Sequence, residues 1–100
     1  MGTAVEQLLR QAIRERRLVV FWLHGLRRVG EPHLYGVHKG VVQLLLYQTI
    51  GESRSGGLPA WRRLNLDEIH GLRALEERFA GGRLRGTRHG DWDQVLEVVE

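Results

Sequence analysis

Cysteine is absent from this 100-residue chain, which excludes a disulfide framework and any thiolate metal centre. Lysine is almost absent too. Lys39 is the only one, so arginine carries nearly all of the positive charge. No apolar run approaches the roughly 20 residues that a membrane helix requires. The N-terminus lacks a basic stretch leading into an apolar run of roughly 7–15 residues, so no secretory leader is expected. The expectation is a cytoplasmic protein.

What remains is ordinary for a globular domain: hydrophobic residues make up 42% and charged residues 27%. This length supports one core, and residues 1–100 are expected to form a single domain. A formal charge of +3 is too small to imply nucleic-acid binding by itself. Guanidinium groups, however, recognise phosphate or carboxylate with paired donors.

Val5, Leu8, Leu9, Ala12 and Ile13 recur at helical spacing, predicting an amphipathic helix from Thr3 to Arg16. Thr3 and Glu6 make a capping box at its start. Leu18 to Leu23 is β-branched and aromatic on both faces, as in a buried strand. Strands are further expected over Arg27–Lys39, Val41–Ile50, Ala60–Leu66 and Gly71–Phe79, with tight turns at His24-Gly25 and Lys39-Gly40. Pro32 removes a ladder donor and predicts an edge or a bulge. Gly51–Pro59 and Ala80–Gly90 read as loops. Trp92, Val95, Leu96 and Val99 again show helical spacing, with Asp91 as cap, predicting a C-terminal helix. The fold class expected is α+β, mainly β: a small barrel of about five strands with a helix at each end.

The stretch from Glu31 to Arg62 holds most of the chemistry-bearing residues. Glu31, His33 and Tyr35 alternate and should share one strand face if Pro32 does not break the register. Acid, imidazole and phenol in that order could hold a ligand or relay a proton, or simply make local hydrogen bonds. The loop Gly51-Glu52-Ser53-Arg54-Ser55-Gly56-Gly57 resembles an anion cradle, with Ser53, Arg54 and Ser55 as donors. It lacks the spacing of a nucleotide-binding P-loop. Tyr47 leads into the loop; Trp61 and Arg62 lead out. Trp61 is read as core, and Arg62 as an anion contact. Arg27 and Arg28 precede the Glu31 strand and could contribute from the adjacent hairpin, or simply occupy a solvated turn. Arg83, Arg85, Arg88 and His89 form the densest positive cluster, suited to tracking phosphates. The five histidines show no metal-ligand spacing, and neither Ser53 nor Ser55 lies in a nucleophile elbow. No metal, cofactor or catalytic set is expected.

The order of VVFWLHGLRRVGEPHLYGV, LLLYQTIG and WRRLNLDEI, after the helix from Leu8 to Arg17, resembles the WYL-domain superfamily. In particular it resembles the short, free-standing WYL-like proteins of bacteria. The resemblance runs from about Leu8 to Phe79 and rests on Glu31-Pro32, on the Gly36-Val37 step and on the Leu66–Ile69 turn. It implies an SH3/Sm-like β-barrel that senses negatively charged ligands, nucleotides or nucleic acid, in transcriptional or phage-defence regulation. The family's Trp-Tyr-Leu falls near Gln43-Leu44-Leu45, where the tryptophan and tyrosine are missing. Glu68 stands where the family has a basic residue.

These readings converge on a non-enzymatic ligand-binding or sensing module for an anionic small molecule or single-stranded nucleic acid. Its expected binding residues are Arg27, Arg28, His33, Tyr47, Ser53, Arg54, Ser55 and Arg62. The alternative is an assembly subunit that forms a homo-oligomer or binds a protein partner through strand edges, the apolar strand Val41–Ile50 above all. An enzyme built on Glu31 and His33 is the outsider. No membrane partner is expected.

Overall fold

A computed structural model describes residues 3–51, 57–83 and 92–99. The chain enters through α1 (Ala4–Glu15). Thr3 Oγ1 accepts the Glu6 N–H at 3.1 Å, satisfying a donor that the helix cannot pair internally. Leu9, Ala12 and Ile13 are its buried stripe. Arg16 ends the helix in the left-handed region, φ 57°, and its N–H caps the carbonyls of Ala12 and Ile13.

Among the described residues six antiparallel strands follow: β1 (Arg17–Leu23), β2 (Leu26–His38), β3 (Val41–Gly51), β4 (Ala60–Asn65), β5 (Ile69–Arg78) and β6 (Gln94–Val98). The sheet order is β4-β3-β2-β1-β5, with β6 also paired to β2. The hairpins β1–β2 and β2–β3 turn on His24-Gly25 and Lys39-Gly40, where all residues have positive φ. That is the geometry of a two-residue turn matched to strand twist.

Three departures from expectation stand out. The C-terminal segment is a strand, not a helix. β1 pairs only with the first part of β2, as far as Gly30 opposite Val19, which leaves the edge of Leu34–Val37 open. β6 fills it, pairing Leu34 with Val98 and Val37 with Gln94. Asp93 N–H and Val99 N–H extend the ladder to Val37 O and His33 O, each at 2.8 Å. Unmet backbone groups on β2 outweigh a helical spacing over so few residues. The predicted cap, Asp91, lies outside the described residues.

The sheet, second, is not closed into a barrel: among the described residues β4, β5 and β6 each pair with one strand only. Third, β3 is flanked on both sides by β2 and β4. Its backbone is already paired there, so edge-to-edge association would have to use β4, β5 or β6.

The inner face of the sheet packs under α1. Val19, Phe21, Leu23, Tyr35, Leu44, Leu46 and Leu64 join Leu9, Ala12 and Ile13 in one core cluster. Each fully buried Leu or Ile there is worth about 1.5–3 kcal/mol. Tyr35 ties helix to sheet, its hydroxyl donating to the Glu6 carboxylate. Across β6, Glu97 pairs with Arg14 at 3.1 Å. No described helix is long and apolar enough to cross a membrane.

Candidate functional site

Strand alternation separates the chemistry-bearing residues onto two faces. On β3 and β4, Leu44, Leu46 and Leu64 point inward, so Leu45, Tyr47 and Trp61 point outward. Tyr47 lies opposite Glu31 on β2 and opposite Trp61 on β4. These three form a row on the outer face.

His33 enters this row through a β-bulge. Pro32 pairs with Leu46 and Leu34 with Leu45, so His33 is the extra residue opposite no partner on β3. Proline supplies no N–H at that point. The bulge inverts the alternation, and Tyr35 lands on the inner face opposite Leu44. The expected Glu31–His33–Tyr35 row is therefore broken: Glu31 and His33 stay together, while Tyr35 faces α1.

Residues that follow β5 cover the outer row. The Arg83 guanidinium donates from Nε to Glu31 Oε1 at 2.8 Å and from Nη2 to Oε2 at 3.2 Å. It lies over the Tyr47 ring, 4.3 Å from the centroid. The Arg83 main-chain N–H donates to His33 Nε2 at 3.1 Å. His33 Nδ1 lies 2.9 Å from the Glu31 carbonyl. An amide can only donate and a carbonyl can only accept, so His33 is a neutral imidazole protonated on Nδ1. Phe79 stacks on the imidazole at 5.3 Å, and Trp61 meets it edge-on at 4.9 Å.

The electrostatics agree with this geometry. His33 is 0% exposed, and burial lowers its pKa below the ordinary 6.5, with the Arg83 charge adding to the fall; the Glu31 carbonyl and carboxylate oppose it. Arg83 is held firmly in its charged form by the Glu31 carboxylate. Glu31 is itself 6% exposed, a buried carboxylate compensated by a two-pronged guanidinium.

The outer row also opens to solvent. Trp61 is 40% exposed, which corrects its reading as core. It contacts Tyr47 edge-on at 5.0 Å. An exposed indole, a phenol and a fixed guanidinium therefore sit side by side, the arrangement that stacks planar rings and binds acceptor groups.

The other predicted residues lie elsewhere. Arg28 and Arg62 are on the inner face and flank Gln48 diagonally, since Gln48 pairs with Gly30 and with Ala60. All three side chains are engaged in contacts. Arg27 is exposed beside Trp22 at the β1–β2 hairpin. Ser53, Arg54 and Ser55, like Arg85, Arg88 and His89, lie outside the described residues. So His33 and Tyr47 join one cluster, whereas Arg28 and Arg62 lie on the opposite face on either side of Gln48, level with Gly51 and Leu46 of β3. Sequence reasoning placed Arg83 only in a loop cluster. Its pairing with Glu31 spans 52 positions, and only the acid–base complementarity of the two hinted at it.

Among the described residues no three His, Asp or Glu side chains gather as a metal site. No family model, curated protein or solved structure matches this chain.

Proposed function

We propose that this chain is a non-enzymatic ligand-binding and sensing module of the WYL kind, acting in the cytoplasm. Its ligand is an anion carrying a planar ring, a nucleotide or a stretch of nucleic acid, and it binds on the outer face of β3 and β4. The observation that carries this reading is the Arg83 guanidinium, fixed by Glu31 above Tyr47 and beside the exposed indole of Trp61. Trp61 supplies a stacking surface. The pair with Glu31 uses Nε and Nη2 of Arg83, and in this reading Nη1 donates to a phosphate or to the acceptor edge of a base.

The bent β2, shared between β1 and β6, is in keeping with an SH3/Sm-like architecture left open between β4 and β5. Ser53, Arg54 and Ser55, which lie between β3 and β4 in the chain, would add donors to that face, while Arg28 and Arg62, on the inner face, take no part in it. In that setting the family's role in transcriptional or defence regulation follows naturally.

The test is calorimetric titration with short single-stranded DNA, RNA and mononucleotides at several salt concentrations. Saturable binding that weakens steeply with salt, and that fails in both Trp61→Ala and Arg83→Ala, supports the reading. Folded protein that binds none of these anions overturns it.

A second reading, an assembly subunit, is favoured by one observation. The ten-residue strand β5 has one edge unpaired among the described residues, a template for another strand. Light scattering across a concentration series separates the two: a stable oligomer that binds no anion selects assembly.

A further inference from the structure

The contacts around Arg83 do more than form a surface. Its backbone is held by one residue and its side chain by another, and both belong to the same short stretch of β2. The amide is bound to His33 Nε2, the guanidinium to Glu31, and the guanidinium plane rests on Tyr47. Phe79, at the end of β5, stacks on the same imidazole. His33 is thus the point on the sheet where the returning segment 79–83 is pinned.

The pin depends on one lone pair. Nδ1–H faces the Glu31 carbonyl, so Nε2 must remain unprotonated to accept the Arg83 amide. A second proton on the ring would set two donors against each other at a contact of 3.1 Å. It would also place a positive charge on a fully buried ring beside the Arg83 guanidinium.

We propose that His33 is a proton-operated latch on residue 83. The neutral imidazole holds Arg83 over Tyr47 and so assembles the outer face; protonation releases it. This rests on the reading above that the outer face holds the ligand, and it adds a regulator of that face: pH.

The groups facing His33 from each packed element support this assignment. From β2 comes Glu31, whose carboxylate favours protonation of the ring, and from residue 83 comes Arg83, whose charge opposes it. Tyr47 reaches the cluster from β3. Trp61 from β4 and Phe79 after β5 carry no titratable group and complete the burial. Desolvation is the largest influence, so the latch is closed at neutral pH. Once residue 83 lifts away, the ring meets solvent and its pKa returns toward 6.5. Opening therefore becomes more favourable by up to about tenfold for each pH unit below that value, until the closed form also takes up the proton.

The experiment uses the ligand-free protein, so its result does not depend on whether any anion binds. Nitrogen-15 NMR would follow the Arg83 amide and the His33 ring nitrogens from pH 7.5 to pH 4.5. At neutral pH, Nε2 should show the shift of an unprotonated acceptor and the Arg83 amide should be protected from exchange. The amide resonance should then move with the same midpoint as Nε2, below 6.5. His33→Gln offers an amide oxygen as a permanent acceptor that does not titrate, and it should hold the Arg83 amide unchanged across the range. Opening that persists with the same midpoint in His33→Gln would belong to Glu31 or to the fold and would overturn the proposal. Should that variant not fold, the wild-type midpoints decide: an Arg83 amide that does not follow Nε2 sinks the latch. A latch that titrates as described in a protein that binds no anion would leave the device standing and remove only its ligand.

Discussion

Tyr35 follows His33 by two positions on β2, yet the two side chains lie on opposite faces of the sheet. The bulge between Pro32 and Leu34 causes this, and it assigns the two residues to different work. Tyr35, 1% exposed, turns in toward α1 and donates to Glu6, with the Arg10 guanidinium 5.5 Å from its ring. His33 turns out, into the cluster with Glu31 and Arg83.

The phenol of Tyr35 is pushed up to about 12, first by burial and then by its bond to Glu6. A raised pKa favours the protonated form in the folded state. The stabilisation is complete below the ordinary value of 10.0 and is lost as pH climbs toward about 12. An absorbance titration should show a tyrosine that ionises well above the ordinary 10.0, and that phase should vanish in Tyr35→Phe. Tyr35→Phe should cost about 1 kcal/mol at neutral pH and flatten the alkaline loss of stability. An unchanged alkaline profile in that variant would show that the phenol does not control it.

His33 makes the opposite prediction in acid. Its folded-state pKa lies below 6.5, so below that value the unfolded chain takes up a proton that the folded one refuses. Stability is complete above 6.5 and falls as pH drops through the window down to the folded-state pKa. Urea midpoints measured from pH 7.5 to pH 5 should decline more steeply in the wild type than in His33→Gln. Parallel declines would mean that other groups carry the acid sensitivity.

These two residues also mark the limit of what the sequence alone reveals. The helix, the first five strands and both tight turns follow from local patterns: a 3.6-residue apolar period, β-branched runs and X-Gly pairs. Pro32 announced a disturbance, but not that it would insert exactly one residue's worth of offset and send Tyr35 inward. The last strand was misread because Trp92, Val95, Leu96 and Val99 fit a helical period locally. Its partner, the open edge of Leu34–Val37, lies about sixty positions earlier in the chain. The pairing of Glu31 with Arg83 was hidden for the same reason. Long-range demands for backbone and charge partners leave no periodic trace.

Gly36 tests the pairing that replaced the expected helix. A Cβ at this position would come 2.2 Å from the Gln94 carbonyl oxygen and 3.2 Å from the Val95 Cα. Both are backbone atoms of the β6 region, so the strand would have to move. Gly36→Ala should cost about 1–3 kcal/mol and should selectively speed amide exchange in residues 94–98, with α1 and β1 little changed. Equal protection in the variant would mean that β6 tolerates the displacement and contributes little to the fold.

The two-faced arrangement of the arginines gives the sharpest functional prediction. Trp61 and Arg62 are neighbours on β4, but Trp61 lies opposite Tyr47 and Arg62 opposite Leu46, so they project to different sides. A ligand on the outer face touches Trp61 and Arg83 and leaves Arg62 untouched. Trp61→Ala and Arg83→Ala should each weaken binding of a short single-stranded oligonucleotide by about tenfold or more, as loss of a stacking contact does. Arg62→Ala should change it little. Reversed sensitivities would move the ligand to the inner-face end where Arg28 and Arg62 flank Gln48. Loss in all three variants would require a ligand that wraps the exposed edge of β4, an outcome that only a longer oligonucleotide could satisfy. A length series from mononucleotide to decamer would then separate wrapping from a general loss of fold, because wrapping alone gains affinity with length.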